Sequence, residues 1–166
     1  MPLIAICGTP GTGKSELAER LSKENFKVIH LSKFVIENRL YLGYDEKRHA
    51  YIIDEDGLAE EIRKVSAKHD RLIVEGVGAE GLPSDIVDLC IVLTCEPSVL
   101  RMRLSLRELP DEKIEENLEA ERFGVVLGEA ISNYGASKVV VIDTTYEAIE
   151  SIARVVIGEL HRRGII

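Results

Sequence analysis

The chain contains no glutamine and only four asparagines, whereas glutamate, lysine and arginine are abundant. Heat-adapted proteins are depleted in thermolabile amides and enriched in charged residues, so this composition predicts a thermophilic source. No apolar run approaches the roughly 20 residues that a membrane-spanning helix needs. With 45% hydrophobic and 30% charged residues, the sequence is typical of a globular protein and excludes a disordered chain.

Cysteine is scarce as well. The three cysteines, Cys7, Cys90 and Cys95, have spacings that fit neither a disulfide framework nor a zinc site. The four histidines, including His30 at the end of a strand-like run, show no metal-ligand spacing either. The first residues, MPLIAICG, lack the basic region and cleavage site of a signal peptide. We therefore expect reduced, mostly buried thiols and a cytoplasmic location.

The balance of charge is acidic, with a formal net charge of −8 over 166 residues. Such a surface disfavours broad binding to the phosphate backbone of nucleic acids, although a local basic patch stays possible. We expect no membrane association and no direct sequence-specific binding of nucleic acid. The length is that of one domain, residues 1–166, with room for a substantial core.

Short β-branched runs alternate with helical patterns along the chain. Strands are predicted at residues 2–7, 27–30, 71–75, 88–94 and 138–142. Helices are predicted near 14–24, 32–41, 58–68, 97–106 and 112–132, with a last one after Thr144 and Glu147, which have capping-box spacing. This alternation predicts an α/β fold, a three-layer α/β/α sandwich around a five-stranded parallel sheet. Residues 42–57 have no clear period and should leave the sheet.

The first strand runs into a glycine-rich turn. Residues 8–15, GTPGTGKS, match G-x-x-x-x-G-K-[ST] at every fixed position, between a predicted strand and a predicted helix. Gly11 and Gly13 let successive N–H groups point inward and form an anion nest. The positive end of the following helix adds to that field. The turn therefore predicts a P-loop that binds a nucleoside triphosphate.

Three side chains of this turn have separate predicted roles. Lys14 can reach the β- and γ-phosphates of ATP, and the Ser15 hydroxyl can ligate magnesium. Glu16 contributes chiefly its backbone N–H in the first helical turn. A further carboxylate, Glu75, ends the apolar strand LIVE and can hold Mg²⁺ or orient a metal-bound water. The alternative for Glu75 is a structural pair with a nearby cation.

Three arginines follow the fourth predicted strand. Arg103 and Arg107 are four residues apart and share a helix face, while Arg101 is expected on a solvated face. A guanidinium can hold a transferred phosphoryl group in a planar fork. Arg107 directly precedes Glu108-Leu109-Pro110, which should break the helix. We therefore predict that Arg107 is a catalytic, ATP-binding residue at the hinge of a lid.

A P-loop, an arginine-bearing lid and a chain of this length are typical of a nucleoside monophosphate kinase. Two stretches are more specific, LYLGYDEKRHAYIIDEDG at 40–57 and NLEAERF at 117–123. With them, the chain from Ile6 to about Glu129 resembles the adenylate kinase isoenzyme 6 family, in an archaeal or otherwise thermophilic form.

The resemblance implies a nucleoside monophosphate kinase fold with an AMP-binding arm near 31–54 and a short lid near 106–116. Its implied reaction is transfer of the γ-phosphoryl group of MgATP to AMP, giving ADP, with ATPase activity besides. It also implies a role in maturation of the small ribosomal subunit through ribosomal protein S11, a basic partner that suits an acidic surface. By position, Arg107 falls on the family's lid arginine, and the ATP phosphates are held by Gly11, Gly13, Lys14, Ser15 and Glu16.

The sequence departs from the family pattern at three places. The family often has Asp at the position of Glu75. Two residues on, where some members carry a His implicated in catalysis, this chain has Val77, which can neither donate nor accept a proton. Ile36 stands where an arginine would contact AMP, and Arg39, about one helical turn on, is the candidate AMP-binding substitute.

Three functions share these P-loop residues. The leading hypothesis is an adenylate kinase. The competing one is an assembly factor whose ATP hydrolysis drives binding and release of ribosomal S11. A kinase for another small acceptor is the third, because acceptor pockets are poorly encoded in short sequence stretches. Dependence of turnover on AMP and affinity for S11 separate these hypotheses.

Overall fold

A computed structural model describes all residues, Met1–Ile166. Its strands are β1 (Leu3–Gly8), β2 (Lys27–His30), β3 (Tyr41–Asp45), β4 (Ala50–Ile53), β5 (Leu72–Glu75), β6 (Leu89–Thr94) and β7 (Val139–Asp143). Its α-helices are α1 (Lys14–Leu21), α2 (Leu31–Glu37), α3 (Glu55–Ser66), α4 (Pro97–Ser105), α5 (Asp111–Arg122), α6 (Val125–Tyr134) and α7 (Ile149–Arg162). None of these helices is both long and apolar enough to cross a membrane.

Five of the strands form a parallel sheet in the order β2-β5-β1-β6-β7. The predicted five-stranded α/β sheet is confirmed, and each strand lies within one residue of its predicted bounds. Consecutive residues of β1 point to opposite faces, so Ala5 and Cys7 join one apolar cluster while Ile4 and Ile6 join the other. Because both faces are covered, the central strands read as continuous apolar runs.

The parallel register brings the carboxyl ends of three strands together. Ile6 of β1 pairs with Glu75 of β5, which in turn pairs with His30 of β2. In open parallel sheets, ligands bind at this edge, where the strand order reverses around the first strand. The P-loop leaves β1 at this point.

The segment expected to be aperiodic contains regular structure. β3 and β4 form an antiparallel hairpin outside the main sheet, and Asp54 caps α3 by accepting a hydrogen bond from the Gly57 N–H at 3.1 Å. The hairpin was missed because neither strand has a regular apolar alternation, and a register shift falls between Tyr41 and Gly43.

Three helix predictions were wrong. The helix predicted near 32–41 ends earlier, at Glu37. The single helix over 112–132 is two helices, because Gly124 takes a left-handed conformation at φ 61° and ends the first. The predicted capping box does not form, since α7 begins only at Ile149. Thr144 instead donates its hydroxyl to the Thr12 carbonyl at 2.8 Å and is buried.

Candidate active site

The P-loop has the backbone conformation that its glycines allow. Gly11 and Gly13 have φ of 90° and 103°, in the left-handed region that favours glycine. Gly11 also permits close packing, since a Cβ there would lie 2.9 Å from Leu100 Cδ1 of α4. The Thr12 hydroxyl donates to the Thr9 carbonyl at 2.8 Å and holds the loop from within. Gly13 precedes α1 directly, so the loop opens onto the positive end of that helix.

Lys14 is buried at the loop, with 9% of its surface exposed. Its ammonium donates hydrogen bonds to the carbonyl oxygens of Gly8 and Thr9, at 2.8 and 3.2 Å. Burial lowers the pKa of Lys14, the negative charge of Glu75 opposes that shift, and the positive charge of Arg107 adds to it. The ammonium is thus held in the phosphate-binding loop by backbone oxygens.

Glu75 lies at the end of β5 and is buried, with 5% of its surface exposed. Its Oε1 atom accepts a hydrogen bond from the Ser15 hydroxyl at 3.2 Å, so the two predicted metal-site residues lie together. The same oxygen is 2.7 Å from His30 Nδ1, and His30 Nε2 is 2.8 Å from Glu19 Oε1. The hydrogen bond to Glu75 is the main cause of a raised His30 pKa.

The donor set of Ser15 and Glu75 fits magnesium. Mg²⁺ takes oxygen ligands and is usually held by one or two protein groups together with substrate phosphates and waters. The hydroxyl and the carboxylate meet these requirements beside the phosphate-binding loop. No group of three or more His, Cys, Asp or Glu side chains forms a metal cage elsewhere.

Arg103 joins the P-loop to the loop after β7. Its Nη1 donates to the Gly11 carbonyl at 3.3 Å and to the Thr144 hydroxyl at 3.2 Å. Its Nη2 donates to the carbonyls of Thr144 and Thr145 at 2.6 and 3.3 Å. The sequence placed Arg103 on the face of Arg107 but gave it no role. Its partners are more than 40 residues away, so no local signal could have identified them.

Arg107 lies beyond the C-terminal end of α4 and is exposed. Together with Arg103, Gly11, Gly13 and Glu16, it lines a cleft of about 390 Å³ beside the P-loop. The chain turns sharply at the next residue, Glu108, whose φ is 55°, before α5 begins. The arginine therefore lies at a break between two helices, next to the phosphate-binding loop. Arg101 instead pairs on the surface with Glu115 of α5 at 2.5 Å.

The position of Arg39 differs from the one expected. Arg39 was expected about one helical turn after Ile36, on the same helix. Because α2 ends at Glu37, Arg39 lies outside the helix and that expectation does not apply. Arg39 has a left-handed φ of 53°, is exposed, and donates its backbone N–H to the Ile36 carbonyl at 3.2 Å. No hydrogen bond or ion pair joins its side chain to the P-loop or to Glu75.

The β3–β4 hairpin lies against the loop that follows β5. Ile53 Cδ1 is 3.3 Å from the position that a Cβ on Gly78 would take. The ring of Tyr51 packs at a tilt against Tyr41, with centroids 4.6 Å apart, and meets Tyr44 edge-on at 5.1 Å. Residues 51 and 53 of a strand share one face, so Tyr51 lies on the face of β4 whose Ile53 contacts Gly78.

A buried lysine in a P-loop, a hydroxyl–carboxylate pair that fits magnesium, and an exposed arginine at a helix break form the nucleotide site of a P-loop protein. A family model described as an AAA domain matches residues 4–124. The adenylate kinase isoenzyme 6 homolog FAP7 of Saccharomyces cerevisiae is 36% identical over 162 residues, which cover 95% of this chain and 82% of that protein. A relative from Archaeoglobus fulgidus is 40% identical, over 97% of this chain and 85% of its own.

A Caenorhabditis elegans adenylate kinase isoenzyme 6 homolog is 34% identical over 93% of this chain and 87% of its own length. The chain belongs to the adenylate kinase isoenzyme 6 family, as the resemblance predicted, and is a nucleoside monophosphate kinase. Two solved structures share the fold. A shikimate kinase from Bacteroides thetaiotaomicron is 18% identical, with a TM-score of 0.64 over 96% of this chain and 98% of that one. A thymidylate kinase from Candida albicans is 14% identical, with a TM-score of 0.65 over 98% of this chain and 92% of that one.

Proposed function

We propose that the protein transfers the γ-phosphoryl group of MgATP to AMP and releases two ADP. The observation that carries this proposal is the convergence of Lys14, the Ser15–Glu75 pair and Arg107 at the P-loop. Phosphoryl transfer depends on positioning and charge neutralisation rather than on a covalent nucleophile, and these residues supply both.

Each residue has a defined part in that reaction. The backbone N–H groups of Gly11, Gly13, Ser15 and Glu16 bind the ATP phosphates. Lys14 places its ammonium at the β- and γ-phosphates, and Arg107 closes on the transferred group as the segment 106–116 folds over the cleft. The Ser15 hydroxyl would hold Mg²⁺ while Glu75 orients its bound water. When bound, Mg²⁺ neutralises charge on the β- and γ-phosphates.

The arm at 31–54 is proposed as the acceptor site, with Arg39 as a contact to AMP. Ile53 of its hairpin packs close to Gly78, three residues after Glu75, and the exposed Val77 lies between these two positions in the chain. An AMP phosphate needs no base to activate it, because a phosphate monoester is already ionised at neutral pH, with a second pKa of about 6. Val77 is therefore compatible with phosphoryl transfer to AMP.

Hydrolysis makes a different demand, since an attacking water has to be oriented and lose a proton. Val77 cannot accept that proton, whereas the His that some family members carry at this position could. We therefore infer that ATPase activity is present but slower than AMP phosphorylation.

A second function is supported by charge. The exposed face of α5 carries Asp111, Glu112, Glu115, Glu116 and Glu119, within a chain of net charge −8. This face suits a basic partner, and we propose ribosomal protein S11, in a cytoplasmic role in maturation of the small ribosomal subunit. In this role the ATP cycle would drive binding and release of S11.

Phosphorus NMR of the products tests the proposal, with MgATP alone and with AMP, and Lys14→Ala as the blank. ADP forming from both nucleotides faster than free phosphate appears supports the kinase. Free phosphate without AMP consumption contradicts it and favours the assembly ATPase, for which a pull-down with ribosomal protein S11 is the next test. Thermal melting of Lys14→Ala must match the wild type for the blank to count.

A further inference from the structure

We propose that His30 is a positioning residue for Glu75, which it holds in the orientation that a bound Mg²⁺–nucleotide requires. This inference rests on the proposed function only in that MgATP binds at the P-loop, and it does not depend on the acceptor. His30 is not the histidine that some family members carry two residues after the Glu75 position, because that position is Val77 in this chain. His30 lies instead at the end of β2, the strand beside β5.

The sheet register places the two residues side by side. His30 and Glu75 are paired partners at the carboxyl ends of β2 and β5, and Nδ1 of the imidazole lies 2.7 Å from Glu75 Oε1. The Ser15 hydroxyl donates to the same oxygen at 3.2 Å. Both hydrogen bonds fall on Oε1, and the other carboxylate oxygen, Oε2, has no hydrogen bond from the protein. Oε2 is thus left for a metal-bound water.

The imidazole is itself fixed on its outer side. His30 Nε2 lies 2.8 Å from Glu19 Oε1, on α1, so both ring nitrogens have a carboxylate partner. This chain of contacts runs from the buried Glu75 to the exposed Glu19, whose side chain is 64% exposed. Groups that hydrogen-bond to a metal ligand fix its orientation, and their loss typically costs about 10- to 100-fold in metal affinity or activity.

Glu75 needs such a partner more than a shorter carboxylate would. A glutamate has one more rotatable bond than an aspartate, so its carboxylate can occupy more positions at the end of β5. Two hydrogen bonds to a single oxygen, one from α1 and one from β2, select one of these positions. The ring of His30 hydrogen-bonds to Glu75 and Glu19 and not to the P-loop, so its effect on the nucleotide site passes through Glu75.

The choice of replacement makes the test sharp. An asparagine at position 30 places its amide nitrogen near the position of Nδ1, whereas a glutamine places it near Nε2. Both are uncharged, so a difference between them reports the contact to Glu75 and not the charge of the ring. His69→Ala is the matched control, since His69 is also half-buried and has no place in the site.

Calorimetric titration with ATP, with and without Mg²⁺, is the main measurement, followed by the Mg²⁺ concentration that half-saturates turnover. In His30→Ala and His30→Gln we expect Mg²⁺-dependent tightening of ATP binding to fall about tenfold, with metal-free binding unchanged. This is the lower end of the range, because Glu75 would contact Mg²⁺ through a water and His30 acts through Glu75. We expect His30→Asn to restore most of it and His69→Ala to match the wild type. In a Glu75→Ala background, His30→Ala should add nothing further.

Two results would overturn the proposal. One is equal weakening of ATP binding with and without Mg²⁺, which indicates a general structural role. The other is an undiminished effect of His30→Ala in the Glu75→Ala background. If His30→Ala melts far below the wild type, His30→Gln takes its place in the double-mutant cycle. Absence of AMP phosphorylation in the wild type would contradict the proposed function alone, because ATP binding is measured without AMP.

Discussion

Lys113 Nζ donates a hydrogen bond to the backbone carbonyl of Arg48 at 3.1 Å, and this contact joins helix α5 to the tip of the β3–β4 hairpin. The hairpin is therefore fixed at both ends, at Gly78 by Ile53 and at its tip by Lys113. In the proposed reaction these two segments are the acceptor arm and the end of the lid, so the contact spans the parts that have to close together.

Lys113→Ala should weaken this closure without unfolding the protein. One partly exposed hydrogen bond contributes about 1 kcal/mol, so we expect a rise in the KM for AMP of about fivefold and a melting temperature lowered by no more than about 2–4 °C. Steady-state kinetics with AMP varied at saturating MgATP measure the effect. Lys68→Ala, an exposed lysine after α3, is the control, and equal KM values in the two variants would contradict a closing role for Lys113.

Arg103→Lys tests the link between the P-loop and the loop after β7. A lysine keeps the charge but cannot reproduce the fork that contacts Gly11, Thr144 and Thr145. Because part-buried carbonyls lose their donors, we expect a loss of about 1–3 kcal/mol in the free energy of unfolding and weaker ATP binding.

Chemical denaturation and calorimetry measure these two effects. Arg101→Lys is the matched control, since its exposed pair with Glu115 should contribute about 0–1 kcal/mol. If the two substitutions lower the free energy of unfolding equally, the link through Arg103 contributes no more to stability than an exposed ion pair.

The parts of this fold that depend only on residues adjacent along the chain could be predicted from the sequence. A buried parallel strand needs a continuous apolar run, and the P-loop needs its glycines, lysine and serine at fixed spacing, so β1, the loop and α1 follow from local pattern. The break at Gly124 could not be decided in this way. Helical patterns continue on both sides of it, and a single glycine within a helix costs only about 1 kcal/mol.

The contacts that organise the site are not local. His30 and Glu75 are 45 residues apart and meet only because β2 pairs with β5 in one particular register. Arg103 and Thr144 are 41 residues apart and meet across the ends of α4 and β7. The strand order decides both contacts, and the sequence pattern predicts five parallel strands without giving their order. A histidine at a strand end was therefore a weak signal.

Tyr51→Ala tests the aromatic face of the hairpin as the place where the acceptor base stacks. Stacking of a base on an aromatic side chain is worth about 1–3 kcal/mol, so we expect the KM for AMP to rise about 5- to 100-fold. The KM for ATP should not change, because ATP binds at the P-loop. Tyr51→Phe should retain near-normal kinetics, since it keeps the ring.

The control on the same hairpin is Leu42→Ala, because Leu42 is 74% exposed and makes no aromatic contact. Kinetics with each nucleotide varied in turn separate the two KM values. A parallel rise for AMP and ATP in Tyr51→Ala would indicate a disturbed hairpin rather than a lost stacking surface.

Val77→His tests how position 77 divides the chemistry between AMP phosphorylation and hydrolysis. Val77 is 57% exposed beside the end of β5, so an imidazole fits there without repacking the core. The imidazole can accept a proton from an attacking water, whereas an ionised AMP phosphate has no proton to give up in the attack. We expect phosphate release without AMP to rise at least about tenfold, within the range of general base catalysis, and AMP phosphorylation to change less than threefold.

Val77→Asn is the control for polarity, because an amide cannot act as a base at neutral pH. A rise in hydrolysis shared by the Asn variant would assign the effect to a better-held water, and no rise in either variant would mean that position 77 does not limit hydrolysis.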